Sequence, residues 1–287
     1  MNYRHEFHAG NFADVFKHIV LVRIIEHLKE KEKAFRVLDT HAGSGLYALP
    51  SADELNHRGL PPEWVEGIGR LENWKPSAKV TELITPYLNV VLGKTNDEGQ
   101  RLYPGSPLLA YEVMRKQDRL SACELNEAAF ETLKDVFESN YQARILNLDG
   151  WLISGSQIPP KEKRGMMIID PPFEIVGDFW RMAEAVTACS KRWHGGTVAL
   201  WYPLKHQPEV QGFKNLLIER EISDLICIEM QIDRPTMPPK LFGCGMIIRN
   251  APYKLVEEMK LILGELTPLL KAKNGQAKWA VTRLTDE

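Results

Sequence analysis

Gly165-Met166-Met167-Ile168-Ile169 runs without a polar side chain straight into Asp170-Pro171-Pro172-Phe173. A strand that is apolar on both faces needs cover on both faces, which places it inside a parallel sheet with helices above and below. The rest of the chain keeps the matching rhythm. A helix opens at Asn11 and runs to about Lys33, with Val15, Ile19, Val22, Ile25 and Leu28 spaced as one apolar face. Strands follow at Phe35–Asp39, Arg119–Glu124, Ala143–Leu148, Gly165–Asp170 and Gly196–Tyr202, then near Leu225–Gln231 and Gly243–Ile248. Between and after them lie helical patterns at Pro107–Lys116, Glu127–Ser139, Phe179–Arg192, Val256–Leu263 and Thr267–Leu270. This alternation predicts an α/β fold: a doubly wound, Rossmann-like, mostly parallel sheet.

The rhythm breaks once. From about Ser51 to Arg101 there is no strand pattern, only Pro61-Pro62 and two amphipathic stretches around Trp64 and Ile84. The expected organisation is therefore residues 1–50 as tail, helix and first strand, 51–101 as a small helical insertion, and 102–287 as the remainder of the sheet domain.

Lys plus Arg number 36 against 38 Asp plus Glu, a net charge of −2. A protein that coats itself with polyanion is thereby disfavoured, and any nucleic-acid contact needs a local basic surface. The stretch from residue 231 onward, with nine Lys and Arg against six Asp and Glu, is locally positive and contains a Pro-rich loop with Arg234 and Lys240. No run reaches the roughly 18 apolar residues of a spanning helix. The four cysteines are scattered, with no C-x-x-C pair, and no apolar signal core opens the chain. These features predict a cytoplasmic protein without disulfides or structural zinc.

Ligands of such sheets bind beyond the carboxyl ends of the strands. Those ends carry Asp39 with His41, Gly43 and Gly45; Glu124; Asp149-Gly150; and Asp170-Pro171-Pro172-Phe173. The glycine turn lacks the third glycine of a dinucleotide fingerprint, which argues against a nicotinamide-dependent oxidoreductase, the distant alternative. A carboxylate before the glycines repels phosphate and suits the ammonium and sulfonium of S-adenosylmethionine. Glu124 is placed to accept from ribose hydroxyls and Asp149 from an adenine amine. The two prolines fix φ at about −65° and stiffen the loop after Asp170. Its carboxylate and the Pro171 carbonyl are two acceptors for a planar NH2 group, with Phe173 to stack on the base. His5, His8 and His18 lack a cysteine or carboxylate partner set, so no metal is expected.

Asp-Pro-Pro-Phe resembles the catalytic motif of S-adenosylmethionine-dependent amino-methyltransferases. The N-terminal run Tyr3-Arg4-His5-x-Phe7-His8-Ala9-Gly10-Asn11-x-Ala13-Asp14-Val15-x-Lys17-His18, with Leu38-Asp39-Thr40-His41-Ala42-Gly43-x-Gly45, Tyr103-Pro104-Gly105-Ser106-Pro107, Cys123-Glu124-Leu125-Asn126 and Asp149-Gly150, is similar to the bacterial 23S ribosomal RNA adenine-2030 N6-methyltransferase family. The resemblance implies S-adenosylmethionine as cofactor, bound by Lys17, His18, His41, Ser106, Glu124, Asp149, Gly150 and Asp170, to which the reading of the first strand end adds Asp39 and Gly43. It implies Asp170 as the catalytic residue with Lys17 and His5 close to it, Tyr3 and His5 against the RNA, and 23S ribosomal RNA as partner; the loop reading adds Pro171 and Phe173 to the reaction centre, and a monomeric enzyme acting on RNA that is protein-free or early in assembly is expected. Phe173 stands where tyrosine is expected, which keeps stacking and loses a phenol hydrogen bond. DNA adenine or a protein glutamine is the alternative substrate of the same loop.

Overall fold

A computed structural model describes residues 8–55, 59–174 and 177–286. Its main sheet is built on β1 (Arg36–Asp39), β4 (Arg119–Cys123), β5 (Ala143–Leu146), β6 (Gly165–Ile169), β7 (Thr197–Leu204), β8 (Leu225–Gln231), β9 (Gly243–Arg249) and β10 (Lys278–Thr285), in the order β10-β8-β9-β7-β6-β1-β4-β5. The pairs from β7 through β6, β1 and β4 to β5 are parallel, whereas β9 is antiparallel to both neighbours and β10 to β8. The sheet is therefore mostly parallel, α/β and Rossmann-like. From β1 the chain moves outward to β4 and β5, then returns to β6 on the other side of β1. The direction reverses between β1 and β6, the place where sheets of this class form their ligand crevice beyond the strand ends.

Strand β6 shows why the sheet needs two helical layers. Met166 and Ile168 join the core beneath α1 (Phe12–Lys29), α3 (Ala78–Val91), α4 (Ser106–Val113) and α9 (Leu255–Leu270), whereas Met167 and Ile169 join the core beneath α7 (Asp178–Arg192) and α8 (Gln207–Glu219). Alternate side chains point to opposite faces of a strand, so both faces are buried.

Helix α1 departs from its sequence pattern. Spacing predicts one apolar face, yet Val15 through Val22 are all buried. Helices α3, α4 and α9 pack against it, so its outer side is covered as well. Asn11 caps its start by accepting the N–H groups of Ala13 (2.9 Å) and Asp14 (3.0 Å). The helix ends at Lys29, and the following charges form a turn.

Two short strands absent from the pattern, β2 (Leu46–Ala48) and β3 (Leu102–Pro104), pair antiparallel and close the base of the inserted segment. That segment holds a short α2 (Ile68–Leu71), α3 and polar loops. Its Trp64, Ile68, Leu83, Ile84 and Tyr87 share one continuous core with α1. Helix α5 (Glu127–Val136) and a short α6 (Ile153–Ser156) complete the helices, and α9 is one helix where the pattern shows two pieces. Among the described residues no helix is long and apolar enough to cross a membrane.

Because α3 completes the packing around α1, Ile84→Ala should destabilise the whole protein by about 2–5 kcal/mol. Calorimetry should show one shifted transition; a separate low-temperature transition for the insertion alone would contradict a shared core.

Candidate active site

The crevice between β1 and β6 collects side chains from six segments. From β6, Asp170 extends its Oδ2 to Lys17 Nζ of α1 at 2.7 Å. Lys17 also reaches Asp14 Oδ1, one turn earlier, at 2.8 Å, and Asp14 Oδ2 accepts the Gly10 N–H at 3.0 Å. The ammonium thus lies between two carboxylates, 5.9 Å from the Trp201 ring centroid. Burial alone would lower its pKa; Asp14 and Asp170 more than offset that and hold it well above the ordinary lysine value. Lys17 is an ammonium at any working pH, so it positions and polarises and does not act as a base.

From β1 comes Asp39, 1% exposed, whose Oδ2 accepts the Ser106 hydroxyl at the start of α4 (2.6 Å) and whose Oδ1 accepts the His41 N–H (3.3 Å). Burial pushes its carboxyl up to about 6, helped by nearby Asp170 and opposed by Ser106. His41 is driven the other way by burial, to about 4, despite Asp170 and Asp149 nearby. It is a neutral imidazole at pH 7, with Nδ1 2.7 Å from Thr40 Oγ1 and its ring edge-on to Trp151.

The glycine turn after β1 is held to the next strand. Glu124 accepts the N–H of Gly43 through Oε2 (2.8 Å) and that of Asn126 through Oε1 (2.7 Å). Gly43 has φ +60°, and a Cβ there would lie 2.2 Å from the Tyr47 hydroxyl. Beyond β5, Asp149 caps a short turn by accepting the Trp151 N–H at 3.1 Å. Gly150 packs on the main chain after β1, where a Cβ would come 1.8 Å from the Thr40 carbonyl oxygen. Each glycine is required by close approach, and both draw acidic strand ends toward one crevice.

Phe173 holds a left-handed backbone, φ +53°. A bulky residue adopts that region only when its surroundings impose it. Its ring packs against Phe179 and Trp201, at centroid distances of 5.2 and 5.8 Å. Burial raises the carboxyl of Asp178, at the start of α7, against the pull of Arg181 and of a backbone N–H from Phe173. The aromatic end of the Asp-Pro-Pro-Phe loop is thus fixed from both sides.

The structure brings Lys17, Asp39, His41, Gly43, Ser106, Glu124, Asp149, Gly150, Asp170, Pro171 and Phe173 to one edge of the sheet. His18 is buried beside them, with Nδ1 2.9 Å from the Tyr103 hydroxyl, itself 3.1 Å from that of Tyr87. It therefore links α1 to the inserted segment. Tyr3 and His5 lie outside the described residues. Sequence reasoning did not single out Asp14, whose i,i+3 spacing to Lys17 is a readable signal. The Trp201 ring flanks Lys17 as well. Among the described residues, no group of three or more His, Cys, Asp or Glu could hold a metal. The four cysteines are buried and unpaired.

The family model described as "Ribosomal RNA large subunit methyltransferase D, RlmJ" matches residues 32–282. The chain is 37% identical to the ribosomal RNA large subunit methyltransferase J of Escherichia coli K12, over 98% of this chain and 99% of that protein. It is likewise 37% identical to the protein of that name from Haemophilus influenzae Rd, over 100% of both. The crystal structure of protein LPL1258 from Legionella pneumophila superposes with a TM-score of 0.83 at 30% identity, covering 96% of this chain and 98% of that one. The match spans the sheet and the strand-end motifs together: the chain belongs to the RlmJ family of ribosomal RNA large subunit methyltransferases.

Proposed function

We propose that the protein transfers a methyl group from S-adenosylmethionine to the N6 amine of an adenine in 23S ribosomal RNA, adenine 2030. The observation that carries this reading is the Asp170 carboxylate, fixed by Lys17 at 2.7 Å on a two-proline loop at the edge of the crevice. The names of the curated relatives support ribosomal RNA as the substrate.

The crevice suits a cationic cofactor. Asp14, Asp39 and Asp170 face a single ammonium, Lys17, so the interior holds excess negative charge. Asp39, raised to about 6, is an ionised carboxylate at neutral pH in a place where ionisation is unfavourable. A cationic group nearby relieves that cost. Asp39, Ser106 and the Gly43 turn would hold the amino-acid end of the cofactor, Glu124 the ribose, and Asp149 the adenine, with His41 as a neutral wall. When bound, S-adenosylmethionine supplies an electrophilic methyl carbon on a sulfonium.

The chain's own part is positioning. Lys17 occupies Asp170 Oδ2, which leaves Oδ1 and the Pro171 carbonyl as paired acceptors for the two N–H bonds of an amine. Accepting both favours a pyramidal nitrogen and turns its lone pair outward. Phe173 stacks on the base. As the nitrogen becomes positive, the Asp170 carboxylate stabilises that charge and draws its proton.

Asp170→Asn should lower kcat by at least about 100-fold, because the variant donates where the substrate amine also donates. Calorimetric binding of S-adenosylmethionine should persist. Radiolabelled methyl from the wild-type enzyme should enter 23S ribosomal RNA; incorporation into DNA or protein alone would overturn the substrate assignment, and unchanged turnover by the variant would overturn the mechanism.

Asp39→Asn removes a carboxyl that folding raises from 3.8 to about 6. The wild-type stability associated with the protonated form is complete below pH 4 and lost as pH rises through 6, on the order of 3 kcal/mol. The melting temperature of the cofactor-free variant should therefore gain on wild type between pH 4 and 7, while cofactor affinity falls. A gap that stays flat across that range would refute the unfavourable ionisation of Asp39.

A further inference from the structure

Strand β7 does not stop where β6 does. Ile169, the last residue of β6, pairs with Leu200, and β7 continues to Leu204 alongside Gly243 of β9, with Gln231 of β8 next in line. At about 3.3 Å per residue this raises a wall roughly 13 Å beyond the end of β6. Its crest is tied together by the main chain: the Phe242 N–H donates to Leu204 O (3.0 Å), the Ile232 N–H to Phe242 O (2.9 Å), and the Ala272 N–H to Ile232 O (3.0 Å).

That crest carries Lys205, Arg234, Lys240, Lys271 and Lys273, all exposed. Among the described residues none of the five forms an ion pair, although the acids beside them are engaged. Asp233 accepts the Arg234 backbone N–H at 2.7 Å, and Glu209 lies 3.6 Å from His206. Prolines 235, 238 and 239 stiffen the loop, and the Thr236 hydroxyl closes onto the Pro238 carbonyl at 2.9 Å. A row of exposed cations without ion-pair partners on a braced ridge, in a chain of net charge −2, has the character of a local surface for a polyanion.

We propose that this crest is the RNA-docking ridge: it holds the phosphates of the single strand that flanks the target adenine, one wall height away from Asp170. The inference rests on the RNA-methyltransferase reading and adds the surface to it. A second set of exposed cations, Lys116, Lys161 and Lys163, lies at the amino ends of β4 and β6, on the opposite edge of the sheet. It serves as an internal control of equal charge.

The test compares Lys205→Ala/Arg234→Ala/Lys240→Ala with Lys116→Ala/Lys161→Ala/Lys163→Ala, using full-length 23S ribosomal RNA transcript as probe. The crest variant should raise the KM for RNA roughly tenfold or more and reduce the slope of log affinity against log salt by about 2. S-adenosylmethionine affinity and melting temperature should stay at wild-type values. The control variant should match wild type in KM and slope. A combined Lys271→Ala/Lys273→Ala variant should show the crest effect in smaller measure, without touching the Pro-rich loop. Equal effects of crest and control variants, or none from the crest, would overturn the ridge while RNA methylation by wild type leaves the function reading standing. Failure of wild type to bind or methylate the transcript would overturn both.

Discussion

The ion pair between Lys17 and Asp170 joins elements 153 residues apart in sequence, the first helix and the end of the central strand β6. A buried pair of this kind repays its desolvation only with good geometry and further partners, and losing one member leaves an unpaired charge inside the protein, at about 3–5 kcal/mol. Asp14 supplies the further partner. Its own second oxygen is bound by the Gly10 backbone, so the entry of α1 is fixed to the same charge cluster. The result is one ammonium among several carboxylates, a cluster whose residual charge favours a cationic ligand.

Much of the architecture serves to keep that pair in place. For Lys17 to meet Asp170, α1 must lie across the sheet, and a helix buried all round through its middle needs cover on its outer side. The inserted segment provides it. Ile84 and Tyr87 of α3 are fully buried against the common core, and Tyr87, Tyr103 and His18 form a hydrogen-bonded chain from the insertion into α1. The insertion is thus part of the packing that holds Lys17. On the sheet side, Gly150 lets the loop after β5 close onto the main chain after β1, and the Gly43 N–H holds Glu124, so that Glu124 and Asp149 lie on the same edge as Asp39.

The features legible in the sequence were those set by short-range chemistry. The double-faced apolar run of β6, the acidic ends of successive strands and the two-proline loop each declare themselves within a few residues. Elements defined by distant partners did not. Strands β2 and β3 span three residues each and exist only because Leu46–Ala48 meets Leu102–Pro104. Strand β10 is an edge strand with exposed Lys278 and Trp279, and α8 buries only Val210, Phe213 and Leu217. Neither has a pattern strong enough to announce it. The raised carboxyl of Asp39 likewise depends on burial and on Asp170, which no local motif encodes.

Two acceptors held at the edge of β6 would select an exocyclic amine. Nucleoside mass spectrometry of 23S ribosomal RNA incubated with the enzyme and S-adenosylmethionine tests this directly. The methyl should appear as N6-methyladenosine. A methyl on a ribose 2′-hydroxyl or on a ring carbon, where paired acceptors have no N–H bonds to hold, would contradict it.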